Sequence, residues 1–584
     1  MLKDLVIGMA GSGGDGIVSA GESLIAAAAA SGYHALMTKS FGPQIRGGES
    51  SCRVRLSTTP VPNQGGLLDV AVALNWPDFL RFGAELSVDE NTLVVYEAAS
   101  AVAIDEIPLN GVKPREVFAV PMTELAKQAA GTEKAKNSVV LGLLSGWFAI
   151  PAEALVAGLK KRFGVKRPEL FEANINAFNA GVEFAGAHPL KVSRALVRGE
   201  EFGPKLLTDG NDMCGAAAIF AGCEFFGGYP ITPSTEIMQF LSREIWKYGG
   251  SLLQAEDEIA GVASAVGASF AGKKSMTATS GPGMALKTEV LGLASIAELP
   301  LVLINVQRGG PSTGMPTKTE QADLYQAAFS AHGDVLRPIL APASVAEMFP
   351  VTVEAFNIAE EYQTPVIVLS DQELSQRKET VDPIDAKSYT IKSRCLPSAE
   401  QLKAGYVRFL DTASGVSPIS HPGMLGGNYL GAGIEHNEKG DPTASGAMHA
   451  KMTDKRFRKF DSLRARRDLI QLAGPADAEL CLISWGSVAG VAREAVGILG
   501  RRGIACRLIQ PTLLWPLPVD HWKELLAPIR AGLVVEQSYQ GQFYRMLRME
   551  LDLPTLLRPF ARVGANPFSA TEVAEALAQC AKAS

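Results

Sequence analysis

Short apolar runs separated by longer stretches of helical spacing recur along this chain. In the first third, runs at residues 5–9, 68–74, 92–96 and 117–120 have the length of buried strands, and residues 17–30 and 169–187 repeat apolar positions at helical intervals. That alternation predicts an α/β domain over residues 1–190, followed by a charged linker at 191–207. A second α/β unit is expected over residues 208–375, where helical patterns at 211–226, 234–248 and 258–271 accompany buried strands at 275–279 and 301–306. From 376 to 472 regularity is lost, Gly, Pro, His and Asn are frequent, and a basic run KMTDKRFRKFDSLRARR follows; an irregular connector is predicted. Over 473–584 the α/β pattern returns, with strands expected at 479–484, 505–510 and 532–536 and a helix at 488–501. The fold class is therefore α/β and multidomain, built from doubly wound domains.

Composition narrows the function classes. A chain of 584 residues exceeds one core and fits roughly three or four domains. A formal net charge of −6 supplies no basic field for nucleic acid or for an anionic membrane surface. The N-terminal segment meets glycine before an apolar signal region can form, and the apolar stretch 137–152 contains Pro151 and is too short to span a bilayer. A cytoplasmic location without membrane attachment is expected. The closest two of the seven cysteines, Cys214 and Cys223, stand nine positions apart, which predicts neither a disulfide framework nor a metal or cluster motif on this chain.

Two glycine-rich loops occupy the first domain. GSGGDG at 11–16 follows a strand and precedes a helix, so Gly11, Gly13 and Gly14 leave backbone N–H groups open to an anion at the positive helix end; the alternative is a tight turn with no ligand. Gly11, Gly13 and Gly16 satisfy GxGxxG, but no acidic residue stands about 20 positions on, which weakens a nicotinamide reading. FGPQIRGGES at 41–50 presents Arg46, suited to a carboxylate or phosphate, or else to solvent.

The middle domain carries the densest chemistry. In YPITPSTE at 229–236, two prolines stiffen a loop that can aim the Thr232 hydroxyl at a substrate oxygen, with Ser234 expected as a helix N-cap; the plain alternative is a well-made helix start. QAEDEIAGVASAVGA sets Glu256, Asp257 and Glu258 before a helix, where acidic residues also serve as ordinary dipole partners. ATSGPG at 278–283 ends a buried strand and opens the next helix.

Taken together, EDEIAGVASAVGASFAGKKSMTATSGPG resembles the pyrimidine-binding domain of thiamine diphosphate enzymes, with Glu258 nine positions before Gly267 and Glu256 eleven before it, the poorer match. With YPITPSTE, QRGGPSTGMPTKTEQADL at 307–324 and YLGAGIEHNEKGDPT at 429–443, nearly the whole chain resembles the α subunit of 2-oxoacid:ferredoxin oxidoreductases. Residues 1–190 are similar to the γ-type domain fused ahead of it in one branch, and 473–584 to a transketolase-C-like domain. The resemblance implies that Glu258 hydrogen-bonds the aminopyrimidine and favours the imino tautomer that removes the thiazolium C2 proton. It implies cofactor contacts at Tyr229, Pro230, Ile231 and Gly281, and 2-oxoacid contacts at Thr232, Arg308 and Thr317. The implied reaction is reversible oxidative decarboxylation to acyl-CoA, CO2 and reduced ferredoxin, with coenzyme A as co-substrate and the 11–16 loop as a coenzyme A or anion contact.

A thiamine enzyme also needs Mg²⁺ at the diphosphate, held in this family by a GDG and a later asparagine. The only GDG is residues 14–16, and no asparagine precedes Asn63. Mg²⁺ and a 4Fe-4S cluster are therefore expected on a partner β subunit, in a heterotetramer of (αβ)2 form, with ferredoxin as a further partner. If the first domain folds over the substrate pocket, Arg46 suits a distal carboxylate, which favours 2-oxoglutarate over pyruvate or another 2-oxoacid. Two other classes stand beside this one: a stand-alone nucleotide-binding oxidoreductase using the 11–16 loop, and a non-catalytic scaffold.

Overall fold

The computed structural model describes residues 2–42, 48–100, 109, 111–164, 167–197, 203 and 205–582. Two compact units emerge, Met1–Asp209 with Arg377–Ile384, and Gly210–Gln376 with Asp385–Ser584.

The first unit is built on one mixed sheet of eight strands. Its order is Glu116–Val120, Leu93–Glu97, Val70–Ala73, Asp4–Gly11, Ser50–Ser57, His34–Phe41, Lys378–Val381 and Leu206–Asp209. Helices Ile17–Ala30, Lys136–Phe148 and Pro168–Ala187 contribute to the core on one face, and Trp76, Phe79 and Tyr96 to a second cluster. The strands Ser50–Ser57 and His34–Phe41 escape the apolar-run reading. Ser50–Ser57 is buried along its whole length although it carries Arg53 and Arg55: Arg55 reaches Asp4 at 2.5 Å and Arg53 donates to the Glu85 carbonyl at 2.9 Å, so paired arginines replace apolar side chains. Leu206–Asp209 straddles the end of the expected linker, and Lys378–Val381 lies in the expected irregular connector. They pair antiparallel with each other, and Lys378–Val381 also pairs with His34–Phe41. At four residues each they are too short to show a period, and only distant pairing makes them strands.

The second unit holds two sheets. The larger runs Leu513–Trp515, Ile339–Leu340, Pro365–Asp371, Leu301–Gln307, Ser275–Thr279, Phe225–Gly228 and Ser251–Gln254, parallel except for Leu513–Trp515, which comes from the C-terminal segment. The smaller, Ile470–Ala473, Arg507–Pro511, Leu480–Ser484, Ala531–Glu536 and Leu556–Ala561, is parallel apart from its first strand. One continuous core, including Trp485, Trp522, Phe543 and Leu303, joins them. The helical pattern expected over 211–226 is in fact the helix Gly210–Phe220 and then the strand Phe225–Gly228. Gly222, at φ +84°, turns the backbone left-handed and ends the helix.

Within 376–472 the chain is more ordered than expected. The first half of the basic run lies in the helix Gly446–Arg458, whose Lys455, with Lys459 just beyond, reaches the fully buried Glu298 at 2.7 and 3.2 Å. Arg394 pairs with Glu360 at 2.6 Å.

Candidate active site

Four loops follow the carboxyl ends of four adjacent strands of the larger sheet: 229–234 after Phe225–Gly228, 255–257 after Ser251–Gln254, the turn opening at Ser280 after Ser275–Thr279, and the loop from Arg308 after Leu301–Gln307. Phe225–Gly228 is flanked by the next strand in sequence on one side and by Ser275–Thr279 on the other. Strand order reverses there, and the crevice at such a reversal is where open α/β sheets bind ligands.

Glu258 begins the helix Glu258–Phe270. Asp257 takes the capping role, its carboxylate accepting from Ala260 N at 2.8 Å, so Glu258 turns inward and is 8% exposed while Glu256 and Asp257 face solvent. The Glu258 side chain lies against Gly283, where an added Cβ would sit 2.7 Å from Cγ and 3.0 Å from Oε1 of Glu258, and 2.1 Å from Thr279 Oγ1. Beneath it Lys287, from the helix Gly281–Ile296, donates to the Glu258 carbonyl at 3.0 Å and to Thr277 Oγ1 at 3.2 Å. Burial pushes the Lys287 ammonium down to about 8, against the pull of the Glu258 and Asp257 carboxylates.

Arg308 and Thr232 are brought together: Arg308 Nη1 donates to the Thr232 carbonyl at 2.5 Å. Gly309 N donates to Lys318 O at 2.9 Å and Met315 N to Gly309 O at 2.8 Å, which folds the loop back and returns half-buried Thr317 alongside Gly309. Tyr229 is exposed, and Pro230, Ile231 and Thr232 are half-buried. Ser234 stands at the N-cap position, but its hydroxyl donates back to the Ile231 carbonyl at 3.0 Å instead of capping the helix. Asn211 tightens the loop by donating to the Pro233 carbonyl at 2.8 Å.

Two residues of this site are absent from the sequence reading. Lys287 is a single lysine on the buried face of an apolar helix, four positions after Gly283. Asp323 accepts from Asn305 Nδ2 at 2.9 Å and lies against Gly281, whose added Cβ would be 3.0 Å from Asp323 Oδ2; burial, with Glu320 assisting and Asn305 and Arg308 opposing, pushes its carboxyl up to about 6. Ser280 Oγ, Asn305 Oδ1 and Arg308 Nε are buried without a hydrogen-bond partner among the described residues. Polar atoms buried that way are expensive unless a ligand or water meets them.

In the first unit, Gly13 and Gly14 of the 11–16 loop are exposed and Gly11 is buried. The loop's own Asp15 accepts from Ser12 N at 3.0 Å and pairs with Lys136 at 2.8 Å, so one amide is already taken by a carboxylate. Arg46 lies outside the described residues. Among the described residues, no cluster of three or more His, Cys, Asp or Glu is placed to hold a metal, and no helix is long and apolar enough to cross a membrane.

Comparison with known proteins assigns this architecture. Residues 216–454 match the family of the thiamine-diphosphate-binding domain of pyruvate flavodoxin/ferredoxin oxidoreductase, residues 6–184 the pyruvate ferredoxin/flavodoxin oxidoreductase family, and residues 478–573 core domain II of pyruvate:ferredoxin oxidoreductase. The chain is 39% identical over 337 residues to the 2-oxoglutarate synthase subunit KorA of Methanocaldococcus jannaschii, covering 57% of this chain and 88% of that one. It is 33% identical over 555 residues to the 2-oxoglutarate oxidoreductase subunit KorA of Mycobacterium tuberculosis, covering 89% and 83%. The 2-oxoglutarate:ferredoxin oxidoreductase of Magnetococcus marinus, solved with 2-oxoglutarate, coenzyme A and succinyl-CoA bound, superposes with a TM-score of 0.93 at 37% identity over 99% of this chain and 100% of that one. The expected fold class and family are thereby borne out, and the chain belongs to the 2-oxoacid:ferredoxin oxidoreductases, as a subunit of the KorA type.

Proposed function

We propose that this chain is the α subunit of a cytoplasmic 2-oxoglutarate:ferredoxin oxidoreductase and supplies the aminopyrimidine side of its thiamine diphosphate site. The observation that carries this reading is Glu258: a carboxylate buried at a helix start, at the mouth of the sheet's reversal point, seated against a glycine. The residues fit the cofactor. The space where Gly283 lacks a Cβ keeps the carboxylate approachable, and the unpartnered Ser280 Oγ, Asn305 Oδ1 and Arg308 Nε supply polar contacts nearby. Bound there, thiamine diphosphate would supply a nucleophilic carbon and an electron sink for the carbanion that decarboxylation leaves. Glu258 would hold a proton at a ring nitrogen, with Tyr229, Pro230, Ile231 and Gly281 lining the cofactor beside it. Thr232, with Arg308 and Thr317, would orient the C1 carboxylate and keto oxygen of the acid.

The rest of the site is assigned to a β subunit bearing Mg²⁺ and a 4Fe-4S cluster, in an (αβ)2 assembly that uses coenzyme A and passes electrons to ferredoxin. Support comes from the relatives' being named as subunits, and from Ile259 and Leu286, exposed apolar residues on the two helices that frame Glu258. The choice of 2-oxoglutarate follows the KorA relatives and the ligand of the Magnetococcus enzyme.

The test is to co-purify the chain with its partner and assay 2-oxoglutarate, pyruvate and other 2-oxoacids with coenzyme A and a viologen dye. Glu258→Gln is expected to abolish turnover, a barrier increase of several kcal/mol, while the complex stays assembled and Glu256→Gln stays active. A preference for pyruvate would overturn the substrate, and full activity in Glu258→Gln would overturn the site.

A further inference from the structure

We propose that Lys287 is the positioning residue of Glu258: its buried ammonium ties the Glu258 main chain to Thr277, a role that rests on the function assigned to Glu258 above. Lys287 is 0% exposed in a helix whose other buried positions are Gly283, Met284, Val290, Leu291 and Ala294. An apolar side chain is what such a face ordinarily carries. Its partners are two neutral oxygens, the Glu258 carbonyl at 3.0 Å and Thr277 Oγ1 at 3.2 Å. The buried lysines near Glu298 differ in this respect, since Lys455 and Lys459 each contact its carboxylate directly, at 2.7 and 3.2 Å.

The charged groups acting on Lys287 are the carboxylates of Glu258 and Asp257, both at the start of one helix; the strand beneath offers Thr277. Those carboxylates offset the desolvation only in part, and the ammonium is held down to about 8. The fold therefore loses stability by keeping a lysine here at neutral pH. What the lysine provides is local: Gly283 and Lys287, four positions apart, share one helix face, so that face seats the Glu258 side chain with one residue and anchors its main chain with the other. A residue retained against stability and in contact with the reacting group's own backbone is the pattern of a functional residue.

The sign of the pH dependence follows from linkage. Folding lowers the lysine's proton affinity, so the destabilisation is full below pH 8 and fades as pH rises toward 10.5, the ordinary lysine value. The test uses the complex with the partner subunit, comparing wild type, Lys287→Met and Thr277→Val. Melting without cofactor is measured at pH 7 and 9.5, thiamine diphosphate affinity with Mg²⁺ by tryptophan quenching across pH 6.5–9.5, and kcat/KM alongside. Lys287→Met is expected to melt higher than wild type at pH 7, by a margin that shrinks at pH 9.5. It is also expected to bind the cofactor on the order of tenfold more weakly and to lack the weakening expected of wild type above pH 8, where Lys287 loses its proton. Thr277→Val, which leaves the lysine one oxygen, is expected to move that weakening to lower pH. If Lys287→Met melts lower than wild type at pH 7, or binds the cofactor with unchanged affinity and pH dependence, the proposal is overturned. Glu258→Gln separates this from the parent reading: dead Glu258→Gln beside normal Lys287→Met removes only the Lys287 role, whereas active Glu258→Gln removes the assignment of Glu258 itself.

Discussion

Replacing Gly283 by alanine tests whether the seat of Glu258 matters. The new Cβ would lie 2.1 Å from Thr279 Oγ1, 2.7 Å from Glu258 Cγ and 3.0 Å from Glu258 Oε1, where carbon and its neighbours ordinarily keep about 3.5 Å or more. Thr279 can relieve its contact only by turning its side chain about χ1 within the core, and Glu258 only by moving its carboxylate. Overpacking of this kind destabilises by about 1–3 kcal/mol, a loss that a domain of ordinary stability survives. A carboxylate displaced by roughly 1 Å is expected to lower turnover about 10²-fold, close to 2.7 kcal/mol of barrier. Melting and the viologen-coupled assay are run on the same preparation, together with Gly283→Ala/Thr279→Ala. The double variant removes the closest obstacle and keeps the contact with Glu258, so it is expected to recover stability and to remain slow. Wild-type turnover in folded Gly283→Ala would refute the reasoning, because the Glu258 carboxylate would then not need this seat.

Two further outcomes follow from buried charge. Asp323, whose carboxyl burial pushes up to about 6 from an ordinary 3.8, binds its proton more tightly folded than unfolded. Its ionisation therefore destabilises above pH 6, by about 3 kcal/mol at most, and Asp323→Asn is expected to melt higher at pH 7.5 with the gain vanishing near pH 4; a gain independent of pH would count against this. Glu298 is pushed up by burial, yet Lys459, Lys455 and Arg408 outweigh that and hold it well below the usual carboxylate range. Glu298→Gln leaves those cations without a carboxylate and is expected to destabilise by about 3–5 kcal/mol. Part of that loss returns as pH rises through 8, where Lys459 sheds its proton, and a loss of under 1 kcal/mol at pH 7 would show the cluster to be dispensable.

Local period and local chemistry were legible in the sequence. Helices such as Ile17–Ala30 and Val488–Arg501 and the strand Ser275–Thr279 stand where apolar spacing predicts them, because each is decided by contacts within a few residues. The start of the Glu258 helix and the GPG turn are equally local, but the spacing left Glu256, Asp257 and Glu258 as alternatives, and it was the resemblance to thiamine diphosphate enzymes that singled out Glu258. Where the reading failed, distant partners decide the outcome. Arg53 and Arg55 are buried in a strand because Asp4 and the Glu85 carbonyl meet them, and 206–209 and 378–381 are strands because 378–381 pairs with both 206–209 and His34–Phe41. In the proposed site, the sequence supplied the candidates, Glu258, Thr232 and Arg308 among them. Only the tertiary structure decided which of them are withdrawn from water and what they touch: Asp323 at Gly281 and Lys287 under Glu258 acquire their character from desolvation by segments far along the chain, a quantity that no local pattern encodes.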